Sequence, residues 1–165
     1  MADLERTKEN AESQLWDMLG SVQAGMLGLD GAPMKMQPMS HYIDRENKKL
    51  WFFTKKDSEL VQELGSGRPA HYCLIGQDHD YHATLSGYLQ ENCDPEQVDR
   101  MWNAVVGAWF DGGKDDPALT LLELDLEDAT VWASLANPIV FGWEIAKARA
   151  DRSEPDVGVR TAVNF

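Results

Sequence analysis

The chain of 165 residues has only two cysteines, Cys73 and Cys93, in no C-x-x-C spacing and with no companion set of zinc-type ligands. That excludes a disulfide framework and predicts free thiols in a reducing compartment. No apolar run approaches membrane-spanning length, and the opening residues MADLERTKENAESQ are too polar for a secretory signal. A cytoplasmic protein is expected. Basic residues are also scarce, 15 against 28 acidic ones for a formal net charge of −13, which argues against nucleic acid or an anionic membrane as partner. Repeats and low-complexity segments are lacking, so a single domain over 1–165 is expected, large enough to bury a core without covalent staples.

What is present reads mainly as strand. An opening helix over 1–20 carries Ala11, Leu15, Leu19 and Val22 at helical spacing, with Asp3 as its cap. Val22 to Leu29 then meets Asp30-Gly31, a pair suited to a tight hairpin because it tolerates positive φ, and Lys35 to Tyr42 forms the return strand. Pro38 removes a ladder donor there and marks an edge or bulge. LWFFT (50–54) is strongly β, and alternation lets one face only, Trp51 with Phe53 or Phe52 with Thr54, address a ligand. Asp57 or Ser58 caps a short helix that stops at Gly65.

Strands over 70–75 and 81–89 follow, then a helix opened by Asp94-Pro95 whose apolar stripe is Val98, Met101, Trp102, Val105 and Trp109. Leu122, Leu124 and Leu126 alternate with acidic residues in a half-buried strand, and ATVWA (129–133) forms another. A helix from Asn137-Pro138 and a tail complete 137–165. The predicted class is α+β, mainly β, in a small barrel with flanking helices.

Two motifs invite ligands and fail on spacing. AWFDGGKDDPALTLLELDL (108–126) is not a phosphate loop, because Gly113 stands where the lysine belongs and Lys114 is followed by Asp115. Nor is it a calcium loop, since Asp116 and Leu122 occupy the glycine and glutamate positions. It reads as a helix end, a glycine turn and a restart into strand. QDHDYH (77–82) offers His79, His82, Asp78 and Asp80, but a turn aims such side chains apart, and no metal is expected.

MKMQPMSHY, LWFFTKKDSELVQEL, AWFDGGKDDPALTLLELDLEDATVW and the tail EPDVGVRTAVNF resemble the FMN-binding split-barrel superfamily of pyridoxamine 5'-phosphate oxidase, in its general stress protein 26 branch. The resemblance implies a six-stranded antiparallel split β-barrel with flanking helices, a homodimer, and two FMN sites at the subunit interface. It would place Lys35, Met36, Gln37 and Pro38 along the ribityl chain and ring edge, and Phe53 and Thr54 beside the flavin. Lys55, Lys56 and Ser58 would lie near the phosphate, and His82 would approach the ring. Trp102 or Trp109 would close the cleft from the partner subunit.

Phosphate chemistry suits TKKDS, which supplies cations, a hydroxyl and a helix start. Two departures stand against the oxidases: Glu59 and Leu60 replace a basic pair, and Lys35 replaces an arginine fork with a point charge. The oxidases' C-terminal arginine motif for substrate has no match, so vitamin oxidation is not expected. The implied activity is a flavin-dependent oxidoreductase with a nicotinamide cofactor as electron donor. A non-catalytic flavin-binding or sensing module and a cofactor-free dimer are the alternatives, and FMN, FAD or a deazaflavin could serve as cofactor.

Overall fold

The computed structural model describes residues 2–135, 137–155 and 157–165. The opening helix is two helices, α1 (Leu4–Glu9) and α2 (Ala11–Ser21), broken at Asn10, whose side chain accepts from Ser13 N–H and caps the second. Strands β1 (Ala24–Leu29), β2 (Gln37–Ser40), β3 (Tyr42–Asp44) and β4 (Lys49–Lys55) follow. After α3 (Glu59–Leu64) come β5 (Arg68–Ile75) and β6 (Tyr81–Glu91). Helices α4 (Pro95–Met101) and α5 (Ala104–Gly107) lead into β7 (Leu119–Ser134), then α6 (Pro138–Asp151) and β8 (Gly158–Asn164).

All pairings are antiparallel, in the order β2-β1-β5-β6-β7-β4-β3, with β8 beside β7. The two ends of this path, β2 and β3, are separated by His41 alone, so the sheet curls back on itself. Six strands were expected; the path has seven, and the tail adds another. The excess has two physical sources. His41 breaks the ladder where the chain passes from pairing β1 to pairing β4, and residues 158–164 pair with β7 instead of trailing away.

The two C-terminal strand patterns expected around Leu122 to Leu126 and at 129–133 are one 16-residue strand. Its register against β6 shifts at Ser86/Gly87, and a Cβ at Gly87 would sit 2.1 Å from the Asp125 carbonyl oxygen, so only glycine allows that approach. The expected tight hairpin after β1 is a longer connection, 30–36, with Gly31 at φ 70°. Inside the curl, Leu27, Leu50, Phe52, Leu85, Leu122 and Leu124 are fully buried, sealed at one end by Leu15 and Leu19 of α2.

A second, smaller cluster lies on the outer side of β4 and β7, where Trp51, Leu119 and Leu121 pack with Val98 of α4, Val106 of α5 and Phe110. The middle of β4 is therefore buried on both faces, which is why Leu50, Trp51 and Phe52 are apolar in succession. The single helix expected through Trp109 is broken at Trp102-Asn103. There the Asn103 side chain accepts from Val105 and Val106 N–H, starting a new helix at a new angle.

Candidate functional site

Where the curl meets the α4–α5 flank, a cavity of about 330 Å3 opens. Its floor is Pro38, Met39 and Ser40 of β2 with Tyr42 of β3; one side is the end of β4, Phe53, Thr54 and Lys55; the other is Val105 and Val106 of α5 with Trp109 and Phe110. Three consecutive residues of β4 reach it because the cavity wraps the end of that strand. The expectation that only one face of β4 could contribute is corrected accordingly. Tyr42 meets Phe53 edge-on with centroids 5.5 Å apart, Phe53 meets Trp102 likewise at 5.9 Å, and Trp102 tilts onto Phe110 at 6.5 Å. Such edge contacts fix ring orientations and leave a rigid aromatic wall.

Of the residues expected at a site, Pro38, Phe53, Thr54, Lys55 and Trp109 line this cavity. Trp109 is 74 % exposed at its rim. Trp102 stands behind the wall, buttressing Phe53. Gln37 starts β2 and donates from Nε2 to Met39 Sδ at 3.3 Å. Lys35 and Met36 lie in the connection before β2, both exposed, and Met36 packs over Gly28. His82 sits exposed on β6 between Ile75 and Trp132, strands away from the cavity.

Lys55 and Lys56 part company. Lys56 lines a second cavity, of about 450 Å3, formed by α4 and the loop 114–121. Its backbone N–H donates to the Ala118 carbonyl at 2.9 Å, tying the end of β4 to that loop. Ser58 caps α3, its Oγ accepting from Val61 N–H at 3.3 Å. Leu60 is wholly buried beneath α3, so this position serves the core and has no route to an anion.

Lys35, Lys55 and Lys56 enter no ion pair among the described residues, whereas Lys48, Lys49 and Lys114 are held by Glu12, Glu123 and Asp99. Of these three, Lys55 lines the first cavity and Lys56 the second, where Asp99, Asp115 and Asp116 also stand. The backbone N–H groups of Ala118 and Gly112 hold Asp116 below the usual carboxylate range, with Lys55 contributing through space. QDHDYH disperses: Asp80 is buried and accepts from Ala2 N–H at 2.6 Å, while His79 and His82 face solvent. No three side chains of metal-ligating type gather among the described residues.

Sequence reasoning missed the α5 side of the cavity, and it missed what holds α4 in place. Arg100 of α4 donates to Asp44 Oδ2 at 2.6 Å and lies over the Trp51 ring at 5.9 Å. Burial alone would raise the Asp44 pKa. Hydrogen bonds from Asn47 and then Arg100 outweigh it, and the carboxylate stays below its ordinary value. Tyr42, Ser40 and Phe110 were within reach of inference, since MKMQPMSHY and AWF were already singled out. Alternation alone does not say which of their residues turn outward.

Comparison with known proteins gives these features a setting. Residues 10–156 match the family described as "Pyridoxamine 5'-phosphate oxidase like". General stress protein 26 of Bacillus subtilis (strain 168) is 28 % identical over 127 residues, covering 73 % of this chain and 87 % of that protein. A solved structure described as a candidate general stress protein 26 from Jannaschia sp. CCS1 superposes with a TM-score of 0.78 at 32 % identity, covering 95 % of this chain and 99 % of that one. A general stress FMN/FAD binding protein from Xanthomonas citri gives a TM-score of 0.71 at 41 % identity, over 76 % of this chain and 89 % of its own. With the match running from α2 to the approach to β8, this chain belongs to the pyridoxamine 5'-phosphate oxidase-like family, alongside the general stress protein 26 group.

Proposed function

We propose that the chain binds a flavin, FMN in the first instance, in the cavity between β2, β3, the end of β4 and α5. The observation that carries this reading is the pairing of an aromatic-walled cavity with Lys55, a lysine in no ion pair among the described residues, at its edge. The lining fits the group. Phe53, Tyr42, Val106 and Phe110 give an isoalloxazine the apolar wall it needs, and Ser40 and Thr54 offer hydroxyls at its edge. Lys55 at the cavity, with Lys56 and Ser58 just beyond, would hold the phosphate. Similarity to the Xanthomonas citri protein supports the same reading.

When bound, the flavin supplies hydride chemistry, and a nicotinamide cofactor is the electron donor proposed for it. The chain's own part is to orient the ring against Phe53, to neutralise the phosphate, and to exclude water. Trp109 and Val105, exposed at the rim in one protomer, would be covered in a homodimer, as would Met26 and Ile75 on the outer sheet face. Two unpaired thiols suit the proposed cytoplasmic setting. A second reading, flavin binding without turnover, is favoured by one observation: buried Leu60 and exposed Glu59 stand where the oxidases carry cations.

The test is a fluorescence titration with FMN and riboflavin, with light scattering for the dimer. FMN should bind about tenfold or more tightly than riboflavin, and Lys55→Ala should remove most of that difference without dissociating the dimer. Equal affinities for the two flavins would overturn the phosphate assignment, and no saturable binding would overturn the site. NADH oxidation by the loaded protein separates the oxidoreductase from the binding module.

A further inference from the structure

We propose that the second cavity is the subsite for the adenosine half of a dinucleotide, set so that FAD spans both cavities with its pyrophosphate over Lys55 and Lys56. This rests on the flavin reading and extends it. Lys55, the last residue of β4, lines the first cavity, and Lys56, the first residue of the turn that follows, lines the second, so the two cavities adjoin at the end of that strand. A pyrophosphate lying across the end of β4 therefore meets one unpaired ammonium on each side.

The lining of the second cavity matches a nucleoside better than another anion. Val98, Leu119 and Leu121 make an apolar floor for a purine face, and carboxylates stand on the rim. Asp99 is taken by Lys114 at 2.5 Å, and Asp116 by the N–H groups of Gly112 and Ala118. Asp115 has no hydrogen bond or ion pair among the described residues, so it is the open acceptor for the two hydroxyls of a ribose. A phosphate inside this cavity would be repelled by three carboxylates, Asp99, Asp115 and Asp116; an uncharged nucleoside whose phosphates stay outside would not. The glycine and aspartate loop at 111–117 thereby acquires a role that neither a phosphate loop nor a calcium loop could give it.

The full chain is titrated calorimetrically with FMN, FAD and ADP, beside Asp115→Ala and Cys93→Trp, the latter filling the second cavity from an exposed position. FAD should bind about tenfold more tightly than FMN, and Asp115→Ala should remove most of that advantage while leaving FMN affinity within about twofold. Cys93→Trp should abolish both the advantage and ADP binding. FMN binding with no preference for FAD and no ADP binding would overturn the subsite and leave the flavin reading intact. ADP binding lost in Cys93→Trp, with no flavin bound at all, would keep the subsite and sink the flavin reading. Titration with NADH in the same variants would then assign the adenosine to a nicotinamide dinucleotide.

Discussion

The interior of the curled sheet and the flank made by α4 and α5 share β4 and β7, yet they are held by different means. The interior is mainly apolar, with Leu50, Phe52, Leu85, Leu122 and Leu124 fully buried beside a buried His41–Tyr72 hydrogen bond. The flank is two short helices of 7 and 4 residues, started by Asp94 and Asn103 and fastened by Arg100 to Asp44. Helices that short have little stability of their own and depend on caps and docking. The floor of the candidate site therefore belongs to the sheet, while its α5 wall is held by caps and docking.

Leu85→Ala tests the interior and should have the largest effect, about 2–5 kcal/mol of global stability, read as a lower urea midpoint. Arg100→Met tests the flank. Because Arg100 is 44 % exposed, the loss should be about 1–2 kcal/mol at most, with faster hydrogen exchange confined to 95–110 and weaker flavin binding. A midpoint drop as large as that of Leu85→Ala would erase the distinction between the two regions.

Acid should separate them further. Burial lowers the His41 pKa from its ordinary 6.5, with the Leu19 carbonyl opposing. The unfolded chain then binds the extra proton first, so this stability is full above about pH 6.5 and declines as pH falls below it. Asp44, also lowered but from 3.8, loses its contribution only below that value. His41→Gln should flatten the upper slope and leave the lower one; an unchanged upper slope would mean that another group titrates there. Trp109→Ala should be smallest for stability, within about 0.5 kcal/mol, while still weakening flavin binding.

Local chemistry was readable wherever it was self-contained. Ser58 and Gly65 bound α3 as expected, Asp94-Pro95 opens α4, and LWFFT is a strand because its residues suit nothing else. Errors came where tertiary contacts decide. The Val98 to Trp109 stripe has helical spacing, but Asn103 offers its side chain to two backbone N–H groups and the helix restarts. Residues 158–164 look like a tail because only β7 gives them a partner. At the site, TKK was read as one cluster, but β4 ends at Lys55 and the turn carries Lys56 to the other cavity. Arg100 and Asp44 are too far apart in sequence for any pattern to join them.

The single residue between β2 and β3 also bears on how the chain folds. Pairing of β1 with β2, of β3 with β4 and of β5 with β6 is local; β1 with β5, β4 with β7, β6 with β7 and β7 with β8 join segments farther apart in the chain. Distant pairings dominate the entropy of loop closure and slow folding. His41 tethers the β1–β2 hairpin to the β3–β4 hairpin, so once β1 docks on β5, or β4 on β7, the other of these two pairings closes over a much shorter effective loop.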